Sequence, residues 1–298
     1  MIDLSALVSL RAVDACGSVV GAAEALGFTP SAVSQQVKRL ERQAGLPLLE
    51  RVGRGVIVTV HGRQLLDAGA GVLTALEELE SGLHDSAGAV AGHIRLIAFS
   101  TAMRGLVAAT AAALLAAHDD LTLTLSEGEP WAAVDLVASG QCEIGIVHSW
   151  GDVPIDVPDH LVTVPITSDV ADVIVPHAHP LAGRCTVTPH DLIDEAWIAT
   201  PDGTICRQWL NRMYDGTGRR PRIAHEAQEF ASHLAMTQAG LGVALVPRLG
   251  RPELAADLAA VEVAAPVPTR NVVAVHRRTM ETSPAIRAIL DALISATG

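Results

Sequence analysis

The sequence predicts an α/β chain in two parts, a small helix-turn-helix head joined by one long helix to a larger body of alternating strands and helices. Three observations predict it. Short helical periodicities punctuated by glycines occupy residues 4–44, and an uninterrupted helical pattern runs from His61 to about Ser86. Beyond a small-residue break at Gly88 to Gly92, apolar strand-like runs alternate with amphipathic stretches. At 298 residues and 49% hydrophobic content, the chain is long enough to bury the cores of two domains.

In the head, Leu4, Leu7, Val8, Leu10 and Ala15 recur at helical spacing up to Cys16-Gly17-Ser18, which stops one helix and caps the next. That second, short helix carries Ala22, Ala23, Ala25 and Leu26 and ends at Gly27. Thr29 then stands as N-cap before Pro30, a residue suited to the first helical position, so a third helix is expected over 30–44. Its apolar stripe is Ala32-Val33, Val37 and Leu40, and Gly45 closes it. Two short helices around a tight turn, the second polar on its outer face, form a DNA-reading helix-turn-helix. Leu48–Arg51 and Val56–Val60 then read as two strands of a β-wing around Gly53-Arg54-Gly55. The long helix that follows carries Leu65-Leu66, Val72-Leu73, Leu76, Leu79 and Leu83 on one face, the pattern of a dimerisation helix.

In the body, strands are expected near 93–99, 121–126, 143–148, 161–166, 170–176, 242–247 and 270–277. Helices are expected near 103–117, 131–139, 204–214, 229–239 and 284–296. Such alternation implies mainly parallel sheets.

A net charge of −12 argues against a nucleic-acid partner until it is divided along the chain. Residues 1–63 hold seven basic and five acidic side chains; the remainder holds 14 basic and 28 acidic, so a head of +2 sits on a body of −14. The N-terminus shows no basic segment leading into an apolar stretch. The longest apolar run, Leu106 to Ala117, falls short of the roughly 20 residues a bilayer requires. A cytoplasmic location without membrane contact is expected. Cys16, Cys142, Cys185 and Cys206 are scattered and form no CxxC pair, so thiols are expected. GxSxG, HExxH, GxGxxG and GxxxxGKS patterns do not occur, and His177-Ala178-His179 lacks carboxylate or Cys neighbours; neither an enzyme, a metal nor a cofactor is expected.

The stretch AAEALGFTPSAVSQQVKRLERQAGLPLLER, residues 22–51, resembles the DNA-binding segment of LysR-type transcriptional regulators. The likeness continues through Thr59-Val60-His61-Gly62, Phe99-Ser100-Thr101, His179-Pro180-Leu181 and the run Ala239 to Pro247, and so spans essentially the whole chain. It implies a winged helix-turn-helix over 1–60 and a dimerisation linker helix over 61–90. A two-lobed α/β effector domain resembling periplasmic solute-binding proteins follows, with lobe I at 92–167 and 268–298 and lobe II at 168–267. Crossings are expected near Ile166–Asp169 and Val267–Asn271. The partners it implies are double-stranded DNA with a dyad-symmetric site, a second copy of the chain in a homodimer or a tetramer, and a small-molecule effector.

The third helix turns Ser31, Ser34, Gln35, Lys38 and Arg39 away from its apolar stripe. Gln pairs with adenine, Ser with either kind of base edge, and Lys or Arg with guanine or phosphate. By resemblance, Pro30, Ser31, Ser34 and Gln35 face base edges, whereas Lys38, Arg51, Arg54 and Arg63 face phosphates. In the body, Ser100 and Thr101 gather at one helix start, and Thr200, with Pro201-Asp202-Gly203-Thr204, at another; helix N-termini favour anions. By resemblance these ends face each other across the cleft, which points to an anionic metabolite. The same hydroxyls also serve as ordinary N-caps, and both roles stay open. Further cleft candidates are Trp131, His148 and Trp150 at strand ends of the first lobe, with Phe230 and Pro247 in the second. Glu127 and Glu129 offer a site for a cationic effector, or else a solvated surface. Two alternatives to effector control are a thiol switch through Cys185 and Cys206, and a nucleoid or replication-control role.

Overall fold

The computed structural model describes residues 2–52, 55–85, 89–151 and 153–297. They form two compact units, Met1–Gly88 with Ser139–Gln141, and Ala89–Ala138 with Cys142–Gly298.

The first unit contains α1 (Leu4–Cys16), α2 (Val19–Leu26) and α3 (Pro30–Ala44), then β1 (Leu49–Val52), β2 (Gly55–Val58) and α4 (Val60–Asp85). Ser18 caps α2 by accepting from the Gly21 N–H, and Thr29 caps α3 by accepting from the Ala32 N–H at 3.2 Å. Gly17, Gly27 and Gly45 end the three helices with φ of 63°, 66° and 70°, a left-handed conformation that a side chain resists. Leu7, Leu10, Val37, Leu40, Leu48 and Val58 make the core, against which Leu65 and Leu66 of α4 pack. Gly69 lies so close to Leu7 that a Cβ there would stand 2.6 Å from its Cδ2, which seats α4 on α1. The wing strands are antiparallel and begin and end within two residues of their expected bounds. Arg54, and the side chains of Leu73, Leu76, Leu79 and Leu83, lie outside the described residues, whereas Val72 on α4 is exposed.

The second unit opens with β3 (Gly92–Ala98), followed by α5 (Ser100–Ala102), a π-turn over Met103–Val107 and α6 (Ala108–Ala117) in one continuous run. That run, Ser100–Ala117, is long and apolar enough by length and composition to cross a membrane, contrary to the shorter expected segment; here Leu106, Val107 and Leu114 belong to the core. Next come β4 (Leu121–Glu127), α7 (Pro130–Ala138), β5 (Ile144–Trp150), β6 (Leu161–Pro176), β7 (Thr186–Val187) and β8 (Ala196–Ala199). The chain ends through α8 (Ile205–Met213), β9 (Arg222–Glu226), α9 (Phe230–Gln238), β10 (Val243–Pro247), β11 (Leu258–Val263), β12 (Thr269–Arg277) and α10 (Pro284–Ser295).

The strands run β4-β3-β5-β12-β6-β10-β8-β9, with β11 beside β6 and β7. Parallel pairing holds for β3 with β4 and β5, and for β8 with β9 and β10, but β12 and β6 are antiparallel to every neighbour. The sheets are therefore mixed rather than mainly parallel: β6 continues from the first sheet into the second, and β12 lies antiparallel between β5 and β6 within the first. The segments expected as separate strands at 161–166 and 170–176 are one 16-residue strand. Its Val170 pairs with Thr269 of β12, and the next residue, Ala171, pairs with Pro247 of β10, so β6 leaves one sheet and enters the other without a break. Strands β7, β8, β9 and β11 escaped the sequence reading: they are two to six residues long, and β9 and β11 mix charged or alanine residues with few β-branched ones.

Helices α6 and α10 cover one face of the first sheet and α7 the other, which explains why β3 and β5 are buried on both faces and read as continuous apolar runs. The second sheet is covered by α8 on one face and α9 on the other.

Leu40 is fully buried where α1, α3 and the wing meet. Leu40→Ala is expected to destabilise the head by about 2–5 kcal/mol. Denaturant unfolding followed by circular dichroism measures it, and an unchanged midpoint would remove Leu40 from the core.

Candidate nucleic-acid interface and interlobe cleft

Helix α3 buries Val33, Val37 and Leu40 and exposes Pro30, Ser31, Gln35, Lys38 and Arg39, with Ser34 half-buried. Its rotation is held from inside the head. The Ser9 hydroxyl donates to Gln36 Oε1, which keeps Gln36 inward and its neighbour Gln35 outward. Glu41 accepts from the Leu48 and Leu49 N–H groups at 2.9 and 3.2 Å, and so positions the wing on the same helix. Arg51 and Arg63 are exposed on the wing and at the start of α4. Arg39 lies on the expected outer face, and its guanidinium pairs with Asp3 at the start of α1, where the Asp3 carboxylate also caps the helix. Contact with DNA through Arg39 therefore competes with an ion pair inside the head.

In the second unit, the expected effector residues fall into three places. Thr101 is buried, and its Oγ1 accepts from Arg270 Nη2 at 2.8 Å. Ser100 is the first residue of α5 rather than its cap; Phe99 holds the cap position without a side-chain bond. Thr204 is an N-cap, accepting from the Arg207 N–H at 3.2 Å, and its hydroxyl bonds that of Thr200 at 2.7 Å. Trp131 stands in the first turn of α7 and not at a strand end, packed against the second lobe's core. Pro247 ends β10 opposite Ala171.

The centre of the cleft is a buried ion pair that sequence reasoning missed. Arg270, at the start of β12, donates from Nε to Asp169 Oδ2 at 2.8 Å, and Asp169 Oδ1 accepts from the Leu249 N–H at 3.0 Å. The guanidinium carbon lies 5.0 Å from the Phe99 ring centre and 5.7 Å from that of Trp150, within reach of both π faces. His148 sits edge-on to both rings, and burial, with Arg270 nearby, holds its pKa well below the ordinary value. Trp150 stacks on Trp209 of α8 at 5.7 Å, which joins the two lobes. The signal for Arg270 was present in the sequence: it shares the period of two with the inward-facing Val272 and Ala274. Asp169 neutralises Arg270, and the Thr101 hydroxyl expected at the helix start is engaged by the same guanidinium.

Beside this pair is a cavity of about 10 Å³, bounded among others by Trp150, Thr200, Cys206, Phe230, His233 and Leu245. Burial pushes the Cys206 thiol up to about 12, and Cys185 lies exposed in the turn before β7. A thiol that stays protonated at neutral pH is a poor redox nucleophile, which disfavours the switch. Glu129 accepts from Gln228 Nε2 across the lobes at 2.5 Å, and burial raises its carboxyl pKa, so it is engaged rather than open to a cation.

A winged helix-turn-helix with an outward polar reading helix, on a chain whose body is an α/β domain built on two sheets joined through β6, defines the class of DNA-binding regulators. Residues 4–63 match the family described as bacterial regulatory helix-turn-helix protein, lysR family, and residues 87–298 match the LysR substrate binding domain. The chain belongs to the LysR family and is a LysR-type transcriptional regulator. A probable RuBisCO transcriptional regulator of Synechocystis sp. is 28% identical over 246 residues, 82% of this chain and 71% of its own. A full-length OxyR from Pseudomonas aeruginosa superposes with a TM-score of 0.75 at 20% identity, over 99% of this chain and 98% of that one. Full-length CbnR complexed with its target DNA gives 0.62 at 20% identity, over 99% and 100%. At these identities the solved structures show the fold.

Asp169→Asn leaves Arg270 buried without its counter-charge and is expected to cost about 3–5 kcal/mol of stability in the body. Adding Arg270→Gln should recover part of that loss. Thermal unfolding of the single and double variants measures it, and equal stability of Asp169→Asn and wild type would show the pair to be incidental.

Proposed function

We propose that the chain reads a dyad-symmetric site on double-stranded DNA as a homodimer, or as a tetramer of two such dimers, paired through α4. A small molecule taken between the two lobes then adjusts its grip on that site. The observation that carries the reading is the set of exposed polar residues on α3, Ser31, Gln35 and Lys38, held outward by the inward Ser9–Gln36 bond. Two heads related by a two-fold axis meet half-sites in inverted orientation, which is the origin of the expected dyad. The division into a head at 1–60, a linker at 61–90, lobe I at 92–167 with 268–298 and lobe II at 168–267 is part of the same proposal.

Regulation requires that the effector prefer one lobe arrangement, since equal affinity for both shifts nothing. Contacts that cross the lobes supply the difference between states. Arg104 bonds Glu229 at 3.2 Å, Gln228 bonds Glu129, and the Trp150–Trp209 stack closes the centre. Opening the cleft exchanges these for water and ligand.

Footprinting on the DNA flanking the protein's own gene, at two salt concentrations, tests the reading; a protected dyad-symmetric site bound far more tightly than random DNA is the expected result. Uniform, strongly salt-dependent binding without a footprint would leave only phosphate contact and favour a nucleoid role. On the protected site, Gln35→Ala is expected to change base preference at one position per half-site, at about 1–3 kcal/mol. Lys38→Ala is expected to weaken all sequences alike and to lower the salt slope by about 1. Anisotropy titrations with point-mutated operators separate the two outcomes.

A further inference from the structure

The cavity beside Arg270 is lined by Trp150 and His233, and each of these side chains carries a buried polar atom without a hydrogen-bond partner, Nε1 of Trp150 and Nδ1 of His233. Both side chains are about 1% exposed. The indole nitrogen always carries a proton and is a donor. His233 Nε2 lies 2.8 Å from the Ala227 carbonyl oxygen, which only a protonated nitrogen can satisfy. In the neutral ring Nδ1 is then a bare acceptor, and burial keeps the ring neutral by lowering its pKa. The cavity therefore presents one donor and one acceptor, with the Thr200–Thr204 hydroxyl pair and the apolar walls of Phe230 and Leu245 around them. Groups of this kind are costly to leave unmatched, and a ligand that matches both is selected against one that matches a single type.

The charge balance narrows the choice further. Arg270 is neutralised by Asp169, and the Cys206 thiol on the cavity wall is uncharged. The other charges nearest the cavity are engaged as well, Arg207 with Glu226 and Glu129 with Gln228, so a charged group entering here would lose its water without an uncommitted opposite charge to meet, a loss that a neutral group does not suffer.

We propose that this cavity seats the polar end of a small neutral ligand bearing an acceptor beside a donor, of which a primary amide is the simplest case. Trp150 Nε1–H donates to the carbonyl oxygen, and His233 Nδ1 accepts from the amide N–H. The proposal rests on the reading of the cleft as the effector site and names the chemical class that site takes. As folded, the cavity has room for about one water, so an amide requires the lobes to part. The contacts that yield are next to it. Glu229, paired with Arg104, directly precedes the wall residue Phe230, and Gln228 holds Glu129 from the opposite lobe. Entry of the ligand is thereby tied to release of these two contacts.

The test uses the full-length protein with nitrogen-15 label in its tryptophans and follows the Trp150 indole N–H, assigned by its loss in Trp150→Phe. Acetamide, acetate and methylammonium are titrated in turn, each with a parallel measurement of operator affinity. Acetamide is expected to shift the Trp150 resonance saturably and to bind at least about tenfold more tightly than either ion. His233→Leu, checked for native circular dichroism and melting, should weaken acetamide about tenfold through the lost acceptor. No response to acetamide in the wild-type chain would overturn the proposal and leave the cavity to a water molecule. Acetate or methylammonium binding as tightly as acetamide would overturn it as well. Saturable acetamide binding without any change in operator affinity would uphold the ligand assignment and defeat the effector reading instead.

Discussion

The body is organised around one buried ion pair, Arg270 with Asp169, placed where β6 passes from the first sheet to the second. Asp169 sits on β6, the strand shared by both sheets, and Arg270 on β12 beside it, and each bonds outward to a different neighbour, Thr101 on one side and the Leu249 backbone on the other. Four separate chain segments are thus tied at one point. Taking both charges out of water is costly, and only the near-complete satisfaction of the pair, with the aromatic faces of Phe99 and Trp150 against the guanidinium, makes the burial tolerable. The same satisfaction removes this cation from service as an anion receptor.

The head was legible almost to the residue. The Ser18 cap, the Thr29-Pro30 start and the glycines at 17, 27 and 45 are local signals, each acting within a few residues of itself, and α3 begins and ends where they place it. The ion pair of Arg39 was not legible because its partner, Asp3, caps another helix and only the folded head brings the two together. In the body, strands rich in valine and isoleucine were evident, whereas β8 and β9 have four and five residues and draw their stability from neighbours rather than from their own composition. The continuity of β6 was hidden by Pro165, Thr167 and Ser168, which interrupt its apolar pattern where it is only half covered.

The cleft was harder to read for a related reason. Its hydroxyls, Thr101, Thr200 and Thr204, stand out beside predicted helix starts, and two of them are indeed drawn into local bonds. What decides the chemistry is long-range: Asp169 is 101 residues from Arg270, and Trp150 and His233 meet one cavity from opposite lobes. A buried imidazole on α9 looks from sequence like part of the Phe230, His233, Thr237 stripe of an ordinary packed helix, and only its unmatched nitrogen marks it out.

The unbroken passage of β6 through both sheets has a mechanical consequence. A strand hydrogen-bonded along its first half to β12 and along its second half to β10 and β11 neither stretches nor slides without tearing a ladder. Because one strand belongs to both sheets, its own right-handed twist near Val170 and Ala171 fixes how the second sheet is turned against the first.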